Sequence, residues 1–337
     1  MIKIRLAAAV AGALALTGAA SAQELTLKYA VHTPEANIIS EGNQYFADRV
    51  AELSDGRIKV EVYWNRALGK QQEMLPLISA GAVDFTTLET AQYGETPLMG
   101  FMNTIFPVHR DAVKLTEMSN WLYQHSTGIK AELDRIGAKP LFVQHLPHYQ
   151  LLCTKPFRKI ADFDGAKLRA FGAYVPVMWQ SLGANAVNVV TNEMYDGLDK
   201  GVFDCTFLPP PFLNSLKLYE VAKYLIDVPF GMIEFAPTLV STTNWNQWSA
   251  EDQAIIMQAA ADAEIYSLNN TNAKSDQAVQ SLVANGAEIV HFEETEQLLA
   301  SVPDLMQVWL NRQTEEGRGE AAEQIVTYAR KALAESQ

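Results

Sequence analysis

Apolar and polar residues alternate from Leu25 to Val31, the two-residue period of a strand with one buried face, and Pro34 closes the run. From Ile38 to Ser54 the spacing becomes helical, with Phe46, Val50 and Leu53 on one face. Asp55-Gly56 then turns the chain into a second alternating strand, Ile58 to Tyr63. A helix is predicted from Gln71 to Ala80, with Gly81 as its stop, and a strand from Val83 to Thr87. Strand, helix, strand, helix, strand in this order predicts a doubly wound α/β domain.

The rhythm returns further on. Leu141–Gln144 and Gln150–Thr154 read as strands, Tyr174–Leu182 as a helix and Ala186–Val190 as a strand. Glu193–Lys200 reads as a helix ended by Gly201. The last third is more helical. Ser249-Ala250-Glu251-Asp252 starts a long helix that runs to about Asn285, its serine accepting from free backbone N–H groups. No low-complexity segment or short repeat breaks the pattern.

The ends change the picture. Lys3 and Arg5, an alanine- and leucine-rich stretch from Leu6 to Leu16, and the small residues Ala20-Ser21-Ala22 read as a signal peptide over residues 1–22, cleaved after Ala22. Its apolar run is too short to span a bilayer, and no later segment reaches the roughly twenty apolar residues a spanning helix needs. An exported, periplasmic product is expected. Roughly 315 residues then remain, enough for two domains. Without Lys3 and Arg5 the chain has 24 basic and 39 acidic residues, a net charge of about −15. That balance disfavours nucleic acid and anionic membrane as partners. Two cysteines, Cys153 and Cys205, lie in strand-like runs, and in an oxidising compartment an even pair suggests a disulfide. Two buried thiols are the alternative.

Candidate chemistry centres on Arg169. It closes the run Asp164-Gly165-Ala166-Lys167-Leu168-Arg169 and leads into an apolar, aromatic stretch from Ala170 to Trp179. Burying a guanidinium is costly unless an anion pairs with it, and its planar fork suits a carboxylate. From this segment alone an internal ion pair or a solvated strand end is the better explanation, and the rest of the chain must shift the balance. Other chemistry finds little support. His145 and His148 are three apart, but Pro147 lies between them and no third metal ligand is evident. There is no Gly-x-Ser-x-Gly elbow, no His-Glu-x-x-His pair, no Cys-x-x-Cys and no glycine-rich phosphate loop after a strand. No cofactor and no metal are expected. Unplaced carboxylates keep a secreted hydrolase or lyase as a rival.

An ordered series of motifs then resembles a family. It runs Leu68-Gly69-Lys70-Gln71-Gln72-Glu73-Met74-Leu75, Ile78 to Phe85, Ile160 to Arg169, Glu193-Met194-Tyr195, Gly201-Val202-Phe203-Asp204, Leu218 to Tyr224, Trp245 and the Ser249 helix start. From about Leu27 to Tyr328 the chain resembles the substrate-binding proteins of tripartite ATP-independent periplasmic (TRAP) transporters, the DctP-like family. The resemblance implies an α/β, two-domain periplasmic binding protein fold (type II-like), with hinge strands and a long helix spanning both lobes. Residues 23–147 would form the N-terminal lobe and 148–237 the C-terminal lobe. Residues 238–337 would supply a hinge strand and helices packing across both. Such proteins do no chemistry. They hand a small-molecule organic acid to a permease of one small and one large membrane subunit. A ligand-sensing role toward a membrane sensor would need the same closed state. A monomer is the default.

In that family the arginine of the Lys-Leu-Arg motif pairs with the ligand carboxylate, and Arg169 occupies this position. Glu89 falls where sialic-acid-type members have a pocket glutamate, against the alternative of a solvated loop carboxylate. His32 falls where those members carry an asparagine, against a structural role. Tyr149 stands where many members have a second arginine, Leu208 where they have an asparagine, and Phe171 where many have proline. Phe171 as core packing is the competing explanation, and Phe207 and Trp179 are expected in the core. Tyrosine and leucine in place of arginine and asparagine leave one fixed cation, one hydroxyl and apolar wall. The expected ligand is therefore a monocarboxylate with an apolar or aromatic body, such as a 2-oxo or 2-hydroxy acid. C4-dicarboxylates and sialic acid are disfavoured.

Overall fold

A computed structural model of the chain describes residues 24–104 and 111–334. The expected signal segment 1–22 lies outside the described residues. In chain order, the elements begin with strand β1 (Leu25–Ala30), helix α1 (Ile38–Leu53), β2 (Ile58–Tyr63), α2 (Met74–Ser79) and β3 (Phe85–Thr87). Helices α3 (Ala112–His125) and α4 (Thr127–Arg135), then strands β4 (Ala138–Leu146), β5 (Gln150–Cys153) and β6 (Lys167–Ala170) follow. Next come α5 (Val175–Ser181), β7 (Asn185–Asn188), α6 (Met194–Asp199), β8 (Cys205–Leu208), α7 (Pro210–Ser215), β9 (Tyr224–Ile226) and β10 (Ile233–Ser241). The chain ends with α8 (Thr242–Trp245), α9 (Ala250–Ala284), β11 (Glu288–Val290), α10 (Thr295–Ser301), α11 (Leu305–Glu315) and α12 (Gly319–Ala334).

The strands form two mixed sheets. The first has the order β2-β1-β3-β10-β4, with β10 antiparallel to both neighbours. The second has the order β11-β9-β5-β8-β6-β7, with β5 antiparallel to β8 and β9. Both faces of the first sheet are covered. Tyr29, Phe46, Phe85 and Phe142 pack one face with α1 and α9. Leu115, Met118, Ile129 and Ile325 pack the other with α3, α4 and α12. The second lobe has its own core around Leu151, Phe163, Trp179 and Phe207. Two strand connections join the lobes, 147–149 between β4 and β5, and 227–232 between β9 and β10. They run side by side, since Tyr149 N–H donates to Gly231 O at 3.0 Å and Phe230 N–H donates to Tyr149 O at 3.1 Å.

Helix α9 ties the lobes together. Ser249 caps it as expected, accepting from Asp252 N–H at 3.1 Å, and its 35 residues reach about 50 Å at ~1.5 Å per residue. Its first half presents Ala259, Ala260 and Ala263 to α1, small side chains that let the backbones approach. Gly42 on α1 serves the same approach, because a Cβ there would meet Gln144 and Ser267 side chains at 2.3 Å. The far half packs on α7 in the second lobe. Cys153 and Cys205 face each other across β5 and β8, with Cα atoms 4.0 Å apart, and form a disulfide.

Several element boundaries differ from the sequence expectation. The 71–80 helix is a 3-10 turn at Gln71–Glu73 followed by α2, and Glu193 likewise closes a 3-10 turn before α6. The 141–144 strand extends to 138–146 because β4 pairs with β10 along nearly its whole length, Pro140 included.

Glu234, 1% exposed at the start of β10, accepts from the Tyr123 hydroxyl at 2.6 Å. Burial pushes its carboxyl up from 4.5 to about 7, opposed by Tyr123 and Ser119 and aided by the charge of Glu264. A carboxyl raised in the folded state keeps a proton that the unfolded chain has lost. Its stabilisation is therefore fully present below the unfolded value and is lost as pH rises through about 7. Glu234→Gln, which cannot ionise, is expected to flatten the decline in urea midpoint between about pH 5 and pH 8. A slope equal to that of the parent protein would contradict this account.

Candidate functional site

The expected site residues gather at facing ends of the two sheets. His32 lies just past the end of β1 and Glu89 just past β3, parallel neighbours whose carboxyl ends open toward the second lobe. Arg169 sits near the end of β6 and Phe171 immediately after it. β5 runs antiparallel to β8 with Gln150 opposite Leu208, so Tyr149 reaches the same end of the sheet. Loops at the carboxyl ends of parallel strands are where α/β sheets usually take ligands.

In the first lobe Glu89 is held from both sides. His32 Nε2 lies 2.7 Å from Glu89 Oε1, and Gln71 Nε2 donates to Oε2. The Tyr93 hydroxyl in turn donates to the Gln71 carbonyl, fixing the donor that fixes the carboxylate. His32 is buried, and the Glu89 side chain is 20% exposed. Glu89 is thus a braced carboxylate rather than a solvated loop group.

In the second lobe Arg169 is 5% exposed. Its Nε donates to Val189 O at 3.1 Å and its Nη1 to Phe207 O at 3.3 Å, while the guanidinium carbon lies 4.6 Å from the Phe171 ring centroid. Among the described residues no carboxylate forms an ion pair with it. Burial therefore lowers its pKa to about 10, with the charge of Tyr149 and then of Glu89 opposing the fall. Tyr149, 3% exposed, is pushed above the ordinary tyrosine range by burial, against the pull of Arg169 and with the push of Glu89. The charge of Glu89 thus acts on both Arg169 and Tyr149 from the opposite lobe.

The remaining expectations divide. Phe171 is half-buried and its ring lies 5.9 Å from that of Tyr149, so it lines the site as well as packing. Leu208 is buried in the second-lobe core, at the end of β8. Phe207 and Trp179 are core residues as expected, with ring centroids 5.0 Å apart. Both also support Arg169: Phe207 by its carbonyl, and Trp179 by donating its indole N–H to the Arg169 carbonyl at 3.0 Å. His145 is spent on Thr116, 3.2 Å from its Nδ1, and among the described residues no cluster of His, Cys, Asp and Glu could hold a metal. Sequence reasoning missed the contacts of Gln71 and Tyr93 that brace Glu89. Gln71 stood inside a quoted motif, but nothing in its spacing assigned it to Glu89.

Beside the site a cavity of about 280 Å³ opens between the lobes, lined among others by Tyr93, Asn103, Phe171, Tyr174, Arg312 and Gln313. No helix among the described residues is long and apolar enough to cross a membrane.

The profile of bacterial extracellular solute-binding protein family 7 (DctP) matches residues 29–313. A sialic acid-binding periplasmic protein of Vibrio cholerae is 25% identical over 295 residues, 87% of this chain and 88% of the relative. A monocarboxylate 2-oxoacid-binding periplasmic protein of Nostoc is 28% identical over 263 residues, 75% of this chain and 70% of the relative. The fold is that of a TRAP periplasmic solute-binding protein from Ochrobactrum anthropi, with a TM-score of 0.79 and 23% identity, over 93% of this chain and 97% of that one.

Trp179→Phe is expected to strip the Arg169 carbonyl of its buried donor. Leaving such a group unsatisfied costs about 1–3 kcal/mol, to be read as a lower denaturant midpoint with an unchanged slope. An unshifted midpoint would show that the indole does not hold β6.

Proposed function

Because the chain belongs to bacterial extracellular solute-binding protein family 7, we propose that it is the binding component of a TRAP transporter for an organic monocarboxylate. One observation carries this: Arg169 is buried, held by two carbonyls and an aromatic face, and forms no ion pair with a carboxylate among the described residues. An unpaired buried charge is costly, and an entering carboxylate offsets that cost by a charge-assisted, two-pronged contact. Tyr149 offers a hydroxyl beside it, and Phe171 and Leu208 keep the surroundings apolar, which strengthens the pair.

Ligand capture then closes the cleft. A carboxylate on Arg169 whose body reaches the braced Glu89 touches both lobes at once, and the closed form gains whatever affinity the open form lacks. Glu89 has only acceptors to offer, so the ligand portion that meets it carries a hydroxyl or amine. A 2-hydroxy acid with an apolar body meets both demands, and the 2-oxoacid named for the Nostoc relative is its near neighbour in chemistry. The sugar-acid class suggested by the Vibrio relative's name is the rival. No covalent step is involved. The protein works in the periplasm as a monomer, its signal peptide removed after Ala22, and passes its cargo to the small and large permease subunits.

Purified protein lacking residues 1–22 can be screened by thermal shift against 2-oxo and 2-hydroxy monocarboxylates, dicarboxylates and sugar acids. A true ligand at a hundredfold excess over its Kd stabilises the fold by about 2.7 kcal/mol. Calorimetric titration of Arg169→Ala with the best monocarboxylate should show affinity reduced by about a hundredfold or more. Undiminished affinity would sink the Arg169 assignment, and hits confined to dicarboxylates or sugar acids would overturn the ligand class.

A further inference from the structure

The cavity of about 280 Å³ beside the carboxylate site is joined to it by two residues. One is Phe171, whose ring faces the Arg169 guanidinium at 4.6 Å. The other is Tyr93, whose hydroxyl holds the Gln71 carbonyl while the Gln71 side chain holds Glu89. At about 30 Å³ for each water-sized atom, the space takes about nine non-hydrogen atoms, enough for a six-membered ring and a substituent. Tyr93, Phe171, Tyr174 and Trp309 give it aromatic surface. Trp309 is 1% exposed and its indole N–H is spent on Pro97 O at 3.3 Å, so it offers only its ring. Asn103 differs. Its half-buried side-chain amide makes no hydrogen bond among the described residues, so a donor and an acceptor face whatever fills the cavity. Among the described residues charge enters only at the exposed end, where Glu316 accepts from Arg312 Nε at 3.0 Å and is reached by Arg318. The Arg312 side chain is 53% exposed, and water screens the one cation left over.

We propose that this cavity is a distal subsite for an aryl group, with Asn103 reading a polar substituent on the ring, so that the ligand is an aryl-bearing 2-hydroxy or 2-oxo monocarboxylate. The inference rests on the Arg169 reading and narrows it. With its carboxylate on Arg169 and its 2-hydroxyl toward Glu89, such an acid runs past Phe171 and lays its ring among aromatic faces. Offset or edge contacts there add to the burial of the ring's surface. A ring hydroxyl at Asn103 gives a partner to an amide that has none in the fold. A short aliphatic acid leaves the space to water, and a second carboxylate meets an uncharged wall at a desolvation cost.

Calorimetric titration with three acids separates the subsite from the carboxylate site: 2-hydroxypropanoate, 2-hydroxy-3-phenylpropanoate and 2-hydroxy-3-(4-hydroxyphenyl)propanoate. In the parent protein the ring is expected to tighten binding by about tenfold or more, and its hydroxyl by about fivefold again. Ala173 is an exposed position on the cavity wall, and Ala173→Trp fills the space. The ratio of affinities for the phenyl acid and 2-hydroxypropanoate should then fall to near one. Asn103→Leu keeps the volume and loses the amide, so only the preference for the ring hydroxyl should vanish. Ratios taken within one protein are insensitive to a general loss of stability or of active fraction. Equal affinity for the three acids in the parent, or an Ala173→Trp protein that keeps the parent ratio, overturns the distal subsite. A ring-hydroxyl preference that survives Asn103→Leu overturns the role of that residue. Arg169→Ala keeps the two readings apart: if it weakens every acid by about a hundredfold while the parent ratios are flat, the subsite fails and the carboxylate site stands. If none of the three acids binds the parent protein, both readings fail.

Discussion

A buried guanidinium that meets no carboxylate among the described residues is the constraint around which the cleft is built. Arg169 enters a core of Phe171, Phe207 and Trp179, where an isolated charge would be expelled or neutralised if its surroundings did not answer it. The answer is partial: two backbone carbonyls, an aromatic face and the distant charge of Glu89. Partial compensation leaves the group charged and able to take a further partner. Full compensation by an internal Asp or Glu would make a stable ion pair with nothing left to bind.

The two-sheet architecture divides that arrangement between the lobes. Arg169 and its supports lie on the second lobe, while Glu89, His32 and Gln71 lie on loops and a 3-10 turn of the first, so the two groups meet only where the lobes face each other. The paired connections at Tyr149 and Gly231 keep the lobes in register through a short ladder of backbone hydrogen bonds. The long helix α9 bridges them, packed on α1 at one end and α7 at the other. Tyr149 therefore has two duties, with its backbone in the ladder and its ring in the cleft.

Much of this was legible in the sequence. The alternating run at 25–31, the helix at 38–54 and the Ser249 cap each have one local cause, and the elements formed where that cause pointed. Arg169 stood out because a cation entering an aromatic run needs explaining. What was illegible depends on contacts between distant segments. The extra length of β4 comes from pairing with β10, some hundred residues away in sequence, and local propensity argued against it at Pro140. Helices α3 and α4 were not read, although Ile129 and Leu133, four apart on α4, form one turn of a helical apolar stripe. Gln71 and Tyr93 could not be assigned for a related reason. Their task is to brace Glu89, and neither residue type nor spacing states which carboxylate lies within reach.

The disulfide bears on the same site from a distance. Cys153 and Cys205 are directly opposed in the β5–β8 pair, and three positions along that ladder Gln150 faces Leu208. A slip of one residue between two strands turns every side chain to the other face. Here it would carry Leu208 away from its place and shift Tyr149 relative to Arg169 on β6. A covalent cross-link at the far end of a four-residue pairing forbids that slip, where backbone bonds alone would leave a short ladder weakly specified. Closing a loop of 52 residues also removes freedom from the unfolded chain, although that gain would accrue to a bridge placed elsewhere. The position of the bridge is better explained by register. It fixes the register of β5 against β8, the strand beside β6, and so holds Tyr149 in place relative to Arg169.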